Sequence, residues 1–233
     1  MRFYIDTEIL KKFPTLNIGA IIAKNLDNTG NPQEINSLLL SSQNEAKKKY
    51  SLESLSQDPK IESWRKAYSV FGGKPKENKC SVENLYRLIL VGKELSHINK
   101  LVDIYNIISL NHIFPLGGED LDKTKGDIIL TFAKAGEPPV MLLGDKDPRP
   151  PHAGEVIYKD DISAICRRWN WREAERTKLT EDTKNCILVI ESLDSPRREI
   201  ENATDELKNL VSKFCGGSIA SKILDKDEPE MVF

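Results

Sequence analysis

Ten consecutive positions, Arg167-Arg168-Trp169-Asn170-Trp171-Arg172-Glu173-Ala174-Glu175-Arg176, hold four arginines, two tryptophans, an amide and two carboxylates. Guanidiniums suit phosphates, carboxylates and stacked bases. Indoles carry apolar area that a soluble chain seldom leaves in water. The segment therefore reads in two ways: as the floor of a pocket for something anionic or planar, or as a strand with tryptophans in the core and arginines on a solvated face. If it is extended, Trp169 and Trp171 share one face and form a wall for a base or a side chain. A helical course breaks that wall. A second basic stretch, Gly72 to Lys79, places Lys74, Lys76 and Lys79 in a loop. It reads either as an anion contact or as solvated turn chemistry.

These groups must be held by regular elements, and the punctuation of the chain locates several. Asn17 to Ala23 reads as a buried strand, ended by turn residues from Asp27 to Pro32. Ile35, Leu38, Leu39 and Ala46 follow helical spacing toward Lys47-Lys48-Lys49, cations suited to a helix C-terminus. Asp58 can cap the next helix, with Pro59 at its first position, Ile61, Trp64, Tyr68 and Phe71 on one face, and Gly72 as the stop. Ser81 can start another, with Leu85, Leu88 and Ile89 inward and Gly92 closing it. From Ile98 to Leu110 the residues Ile98, Leu101, Val102, Tyr105 and Ile108 make an apolar stripe. Ser109 falls within that stripe, where it must bond to a nearby carbonyl or line a cavity. Asn106 lies at its edge, where an amide can face both core and cavity.

Beyond Pro115-Leu116-Gly117-Gly118 the pattern is strand-rich: Asp127 to Ala133, Glu155 to Lys159, Ile162 to Arg167 and Cys186 to Glu191 are short β-like runs. A helix follows Ser195-Pro196, with Ile200, Ala203, Leu207, Leu210, Val211 and Phe214 inward. A last strand runs from Ser218 to Leu224. The sum is an α+β fold, a mixed sheet with helices packed mainly on one side. A single domain is expected over 1–233: an N-terminal strand and helix extension (1–58), a core (59–195), a C-terminal helix and strand (196–224), and an acidic tail (225–233) expected to fray.

The chain has 233 residues and a formal net charge of -2, so bulk electrostatics do not announce a nucleic-acid binder and any anionic partner must meet local patches. No apolar run approaches the roughly 20 residues that span a bilayer, and Met1 to Asp6 has no apolar core of a signal peptide. Cys80, Cys166, Cys186 and Cys215 form no C-x-x-C pair, which points to small apolar fillers in a reducing cytoplasm. No dinucleotide fingerprint, phosphate-binding loop or G-x-S-x-G elbow occurs. His97, His112 and His152 are too scattered for a metal box. Neither cofactor nor metal is expected.

Leu101-Val102-Asp103-Ile104-Tyr105-Asn106, Pro115-Leu116-Gly117-Gly118-Glu119-Asp120-Leu121-Asp122, Gly126-Asp127-Ile128 and Ala135-Gly136-Glu137 together resemble the B3/B4 domain of the phenylalanyl-tRNA synthetase β subunit. Trp64 to Gly72 and Arg167 to Arg172 are similar to motifs of free-standing B3/B4-domain proteins. The resemblance covers roughly residues 60 to 195. In the synthetase this domain is the editing module, which hydrolyses the ester of tRNA carrying the wrong amino acid. The resemblance implies a B3/B4-like fold and hydrolysis of mischarged aminoacyl-tRNA in trans, without aminoacylation. Its partners would be the aminoacylated 3′ end of tRNA and, as a second, an aminoacyl-tRNA synthetase; neither membrane nor DNA is expected.

Mapped onto this chain, the pocket asparagine of the family falls at Asn106 and the threonine before it is replaced by Tyr105. A pocket histidine falls at Gly117 and is missing; a glutamate falls in the region of Glu173. An aminoacyl ester is already activated, so such a site needs only to place the ester, orient one water and stabilise an oxyanion. On this reading Asn106 and Glu173 are the catalytic candidates. Tyr105, Ser109, Arg167, Arg168, Trp169, Asn170, Trp171 and Arg172 bind substrate, Arg168 and Arg172 taking phosphate or oxyanion. Lys74, Lys76, Lys79 and Arg176 meet the nucleic acid. Two other readings stand beside it: a non-catalytic RNA- or synthetase-binding module of the same fold, and a small-molecule or peptide binder that kept the cavity.

Overall fold

A computed structural model describes residues 1–233. Ten strands fall into two sheets. The first is mixed, with order β10 (Glu230–Val232), β1 (Arg2–Ile5), β4 (Ile128–Phe132), β5 (Val156–Lys159), β6 (Ala164–Arg167) and β7 (Arg172–Glu173); only β1 and β4 pair in parallel. The second is antiparallel throughout, with order β3 (Leu116–Asp120), β8 (Cys186–Ser192), β2 (Asn17–Lys24) and β9 (Ser218–Leu224). The α+β class stands. The strands are divided over two sheets, because β2 and β8 are apolar on both faces and so need cover on both sides.

That double cover is visible residue by residue along β2. Ile18, Ala20 and Ile22 share a core with Phe3, Leu130, Tyr158 and Trp169 of the six-stranded sheet and its connections. Ile21 and Ala23 belong to a second core with Leu188, Ile190 and the helices α5 (Lys100–His112) and α6 (Arg197–Cys215). Gly19 lets α6 come close: a Cβ there would sit 2.0 Å from Thr204 Oγ1. The Thr204 hydroxyl itself donates to the Ile200 carbonyl at 2.7 Å.

The remaining helices are α1 (Thr7–Lys12), α2 (Gln33–Lys49), α3 (Pro59–Val70) and α4 (Ser81–Leu90). The Asp58 carboxylate caps α3 by accepting from Lys60 N–H at 2.9 Å, as the Asp-Pro start predicts. Ile61, Trp64 and Tyr68 of α3 are buried. In α4 the inward face is Val82, Glu83, Tyr86 and Ile89, whereas Leu88 is exposed. The buried Glu83 decides this, because Arg65 and Arg87 both pair with it at 2.7 Å and turn the helix accordingly. Helix α5 begins after Ile98, which is exposed; Asn99 is its cap and accepts from Val102 N–H at 3.0 Å. Ile104 and Ile107 are buried along with the expected stripe, so α5 is covered around most of its circumference.

Two segments depart from expectation. The Gly117-Gly118 pair lies inside a strand, β3, rather than in a turn. The acidic tail does not fray: residues 230–232 form β10 beside β1, with Met231 buried against Phe3 and the rest of the inter-sheet core. Alternating exposed Glu230 and Val232 with inward Met231 satisfies a half-buried edge strand, and the acidic residues stay in water. The four cysteines are free and buried.

Candidate active site

Between the two sheets, beneath α5, lies a cavity of about 250 Å³. Helix α5 contributes Tyr105, Asn106 and Ser109; β3 contributes Gly117, Gly118 and Glu119; β7 and the turn before it contribute Trp169 to Glu173; β8 contributes Ile187, Val189 and Glu191. Asn106 and the tryptophan segment therefore bound one cavity, although they lie far apart along the chain.

The turn before β7 is neither extended nor helical. Arg167 pairs with Arg172 across the hairpin, and Arg168 and Trp169 both take left-handed backbone angles, φ 48° and 67°. Two successive non-glycine residues in that region are costly and persist only where packing holds them. The anchor is Trp169, which is fully buried between Phe13 and Trp64 in edge-on contacts with centroids at 4.8 and 5.0 Å. The expected shared face of the two indoles is thus corrected. The turn sends Trp169 into the core and leaves Trp171 partly exposed, with Arg168 and Arg172 over its ring at 4.7 and 5.2 Å.

The arginines likewise behave differently from a phosphate floor. Arg167 is buried in a two-pronged pair with Glu155 at 2.7 and 2.9 Å, and Arg168 lies 3.8 Å from the same carboxylate. Arg172 holds Asp145 at 2.8 Å and the Leu143 carbonyl. Arg176 grips Asp160 at 2.8 and 3.0 Å. Each guanidinium is neutralised by a carboxylate, and Arg172 is the one basic side chain on the cavity wall. Lys74 faces Glu77 at 3.4 Å, and Lys79 donates to the Lys76 carbonyl at 2.6 Å. Their loop runs into α4, whose first residue, Ser81, lines the cavity.

The chemistry of the wall is acidic. Glu173 lies on β7, and its Oε1 accepts from the Gly118 N–H at 3.2 Å; burial pushes its carboxyl up to about 7. The same oxygen fills the space beside Gly117, where a Cβ would stand 2.7 Å from it. Glu119 is 7 % exposed, and the buried Thr177 hydroxyl beside it acts to lower its carboxyl. Burial first, and the neighbouring Glu173 second, hold its carboxyl well above the ordinary range. Glu191 is buried and accepts three bonds: from Trp169 Nε1 at 2.6 Å, from Asn170 Nδ2 at 2.6 Å and from the Tyr158 hydroxyl. Burial raises its carboxyl to about 7 although those three donors act to lower it.

Asn106 makes no hydrogen bond with another side chain, and its amide fronts the cavity. Ser109 lines the same wall, but its hydroxyl donates to the Phe114 carbonyl at 2.7 Å, the local satisfaction expected of a polar residue in an apolar stripe. Asn170 is held by Tyr68, whose hydroxyl donates to Oδ1 at 3.0 Å, and by Glu191. It buttresses the wall rather than facing outward. Sequence reasoning missed Glu119 and Glu191. The signal for Glu191 was a glutamate closing an otherwise apolar run, a position that calls for a partner or a function, whereas Glu119 sits beside Asp120 in a glycine-rich stretch that gave no such signal.

The order of motifs anticipates a domain of the B3/4 type. The chain belongs to the B3/4 domain family, whose pattern matches residues 63–216. Among curated relatives, the phenylalanine–tRNA ligase beta subunit of Fusobacterium nucleatum subsp. nucleatum is 27% identical over 156 residues, covering 57% of this chain and 19% of that protein. The corresponding subunit of Leifsonia xyli subsp. xyli is 39% identical over 79 residues, covering 34% of this chain and 9% of that protein. The chain thus spans less than a fifth of the length of these relatives. A crystal structure of an N-terminal fragment of the phenylalanyl-tRNA synthetase beta-subunit from Pyrococcus horikoshii aligns over 93% of this chain and 49% of its own, with a TM-score of 0.48 and 14% identity. No helix of the chain is long and apolar enough to cross a membrane.

Proposed function

We propose that this protein hydrolyses the ester of mischarged aminoacyl-tRNA in trans, with the aminoacyl end entering the cavity between β3, β7 and α5. One observation carries this reading: a carboxyl with its pKa near 7, Glu173, and an unengaged amide, Asn106, front the same largely apolar cavity. A general base works best when its pKa lies near the operating pH. In its ionised form Glu173 takes a proton from water as the oxygen adds to the ester carbonyl. The Asn106 side-chain N–H supports the developing oxyanion. Collapse expels the ribose oxygen, which recovers the proton from Glu173, leaving a free amino acid and a tRNA with its terminal hydroxyl restored. Trp171 at the rim offers a stacking face for the terminal base, and the Lys74–Lys79 loop offers its charges to phosphates beyond the rim. Arg167, Arg168, Arg172 and Arg176 hold the scaffold through their carboxylate partners.

The test is deacylation of a panel of mischarged tRNAs by the purified protein in the cytoplasmic pH range. Glu173→Gln and Asn106→Ala should each slow turnover by roughly ten- to a thousandfold, with unchanged far-ultraviolet circular dichroism. The wild-type rate should rise with pH through about 7, as Glu173 ionises. Absence of hydrolysis across the panel would remove the enzymatic reading. One observation favours the alternative, a non-catalytic RNA- or synthetase-binding module: Gly117 stands where the resemblance expects a pocket histidine.

A further inference from the structure

Between Lys100 and Leu110 of α5, Tyr105 and Asn106 are the two residues that are not buried, and both line the cavity. The helix is closed elsewhere along that stretch, so these two side chains are what it presents to the site. We infer that the Tyr105 hydroxyl is a second oxyanion donor beside the Asn106 amide, which makes Tyr105 a further catalytic residue. This deepens the proposed hydrolysis and rests on that reading.

The hydroxyl is set apart by what it does not bond. Tyr50 donates to Asp58, Tyr68 to Asn170, Tyr86 to the Leu110 carbonyl and Tyr158 to Glu191. A phenol drawn out of water normally finds such an acceptor. Tyr105 donates to no protein group, and its oxygen, unlike the Ser192 hydroxyl, is not sealed inside the protein. Its ring packs on the core formed with α6 and β8, which holds the donor in place. Glu173, the base of the proposed reaction, is the acid that acts on it most strongly. The free hydroxyl therefore stands near the reaction centre, between the base and the unengaged amide of the next residue.

Burial first, and the charge of Glu173 second, hold the phenol well above its ordinary range, so it keeps its proton and remains a donor at neutral pH. As water adds to the ester, a carbon–oxygen bond forms, the carbonyl π pair moves onto its oxygen, and the water proton passes to Glu173. Tyr105 and Asn106 then each donate one hydrogen bond to that oxyanion, and no proton leaves Tyr105. Consecutive helical residues project about 100° apart, so the two donors approach one oxygen from different sides. When the bond to the ribose oxygen breaks, that oxygen takes the proton back from Glu173. Donors aimed where charge develops act on the transition state more than on the bound ester.

The test is Tyr105→Phe, which deletes the hydroxyl and keeps the ring, assayed on the mischarged tRNA that the wild type clears fastest. Single-turnover and steady-state kinetics should show kcat and kcat/KM falling together, by roughly ten- to a thousandfold. Binding of 3′-aminoacylamino-3′-deoxyadenosine bearing the same amino acid, a planar and non-hydrolysable stand-in for the charged end, should be equal in the two proteins. The thermal midpoint of Tyr105→Phe should be unchanged or higher, because no protein hydrogen bond is lost. A marked loss of stability would show that the hydroxyl has a protein partner and would overturn the inference. So would an unchanged kcat, or a weakened amide analogue that accounts for the whole loss, which would make Tyr105 a ground-state contact. A wild type that deacylates no tRNA would remove the hydrolase and this role with it. An active wild type matched by Tyr105→Phe would remove this role alone, so the two failures are distinguishable.

Discussion

Trp169 donates its indole N–H to Glu191 Oε1 at 2.6 Å, joining the left-handed turn before β7 to the end of β8. The bond crosses between the two sheets, and the same carboxylate takes Asn170 and Tyr158 as well. One buried acid therefore sets where the cavity wall stands.

Glu191→Ala should be strongly destabilising, because it orphans three buried donors at once. At about 1–3 kcal/mol for each unsatisfied group, and with incomplete additivity, the expected loss is roughly 3–5 kcal/mol. Urea unfolding followed by tryptophan fluorescence measures it. A loss below about 1 kcal/mol would show that the three donors find other acceptors.

Stability should also depend on pH through this residue. Burial raises the Glu191 carboxyl from 4.5 to about 7, so between those values the folded protein holds a proton that the unfolded chain releases. More protons bound when folded means stability falls as pH rises through that window. The contribution is fully present below about pH 4.5 and lost progressively up to about 7, amounting to about 3 kcal/mol at 1.36 kcal/mol per unit. Replacing the carboxyl by an amide, Glu191→Gln, should make the profile shallower, with Glu173, raised over the same range, keeping its own share. Unfolding free energies at several pH values between 5 and 8 make the comparison; parallel curves for the two proteins would remove Glu191 from the explanation.

RNA contact should depend on the lysine loop rather than on the arginine segment. Replacing Lys74, Lys76 and Lys79 with alanine should lower the salt dependence of tRNA binding by about 2 in log–log slope, at roughly 0.7 for each single-strand phosphate that no longer meets a cation. Arg176→Ala should act differently, lowering stability by leaving the buried Asp160 carboxylate without its guanidinium. Filter binding from low to moderate salt, run beside thermal unfolding, distinguishes these outcomes. An unchanged slope in the triple variant would place the phosphate contacts elsewhere.

Much of the scaffold is legible along the chain. Asp58, Pro59 and Gly72 mark the ends of α3 because capping is local chemistry, and the apolar run from Cys186 to Glu191 announces β8. Asn106 was recognisable as an edge amide of α5. The acid pair was not, since Glu119 on β3 and Glu173 on β7 belong to different sheets and line one cavity only once the sheets pack together. Strand β3 hid behind Gly117 and Gly118, residues that weaken a strand on propensity alone. It forms there through its ladder with β8, and glycine suits both positions because a side chain at Gly118 would strike Leu188 and at Gly117 would meet Glu173. The two tryptophans were placed together because alternation presumes extended backbone, whereas the hairpin turns between them.

The space beside Gly117 can hold one functional group at a time, and in this chain Glu173 reaches into it from across the cavity. Positions 117 and 173 are therefore coupled in sequence change. A side chain introduced at 117 must displace the tip of the Glu173 carboxylate, and a shorter residue at 173 frees that space. Either change alone therefore moves a group at the cavity wall, and a library that varies both sites jointly would measure how far they depend on each other.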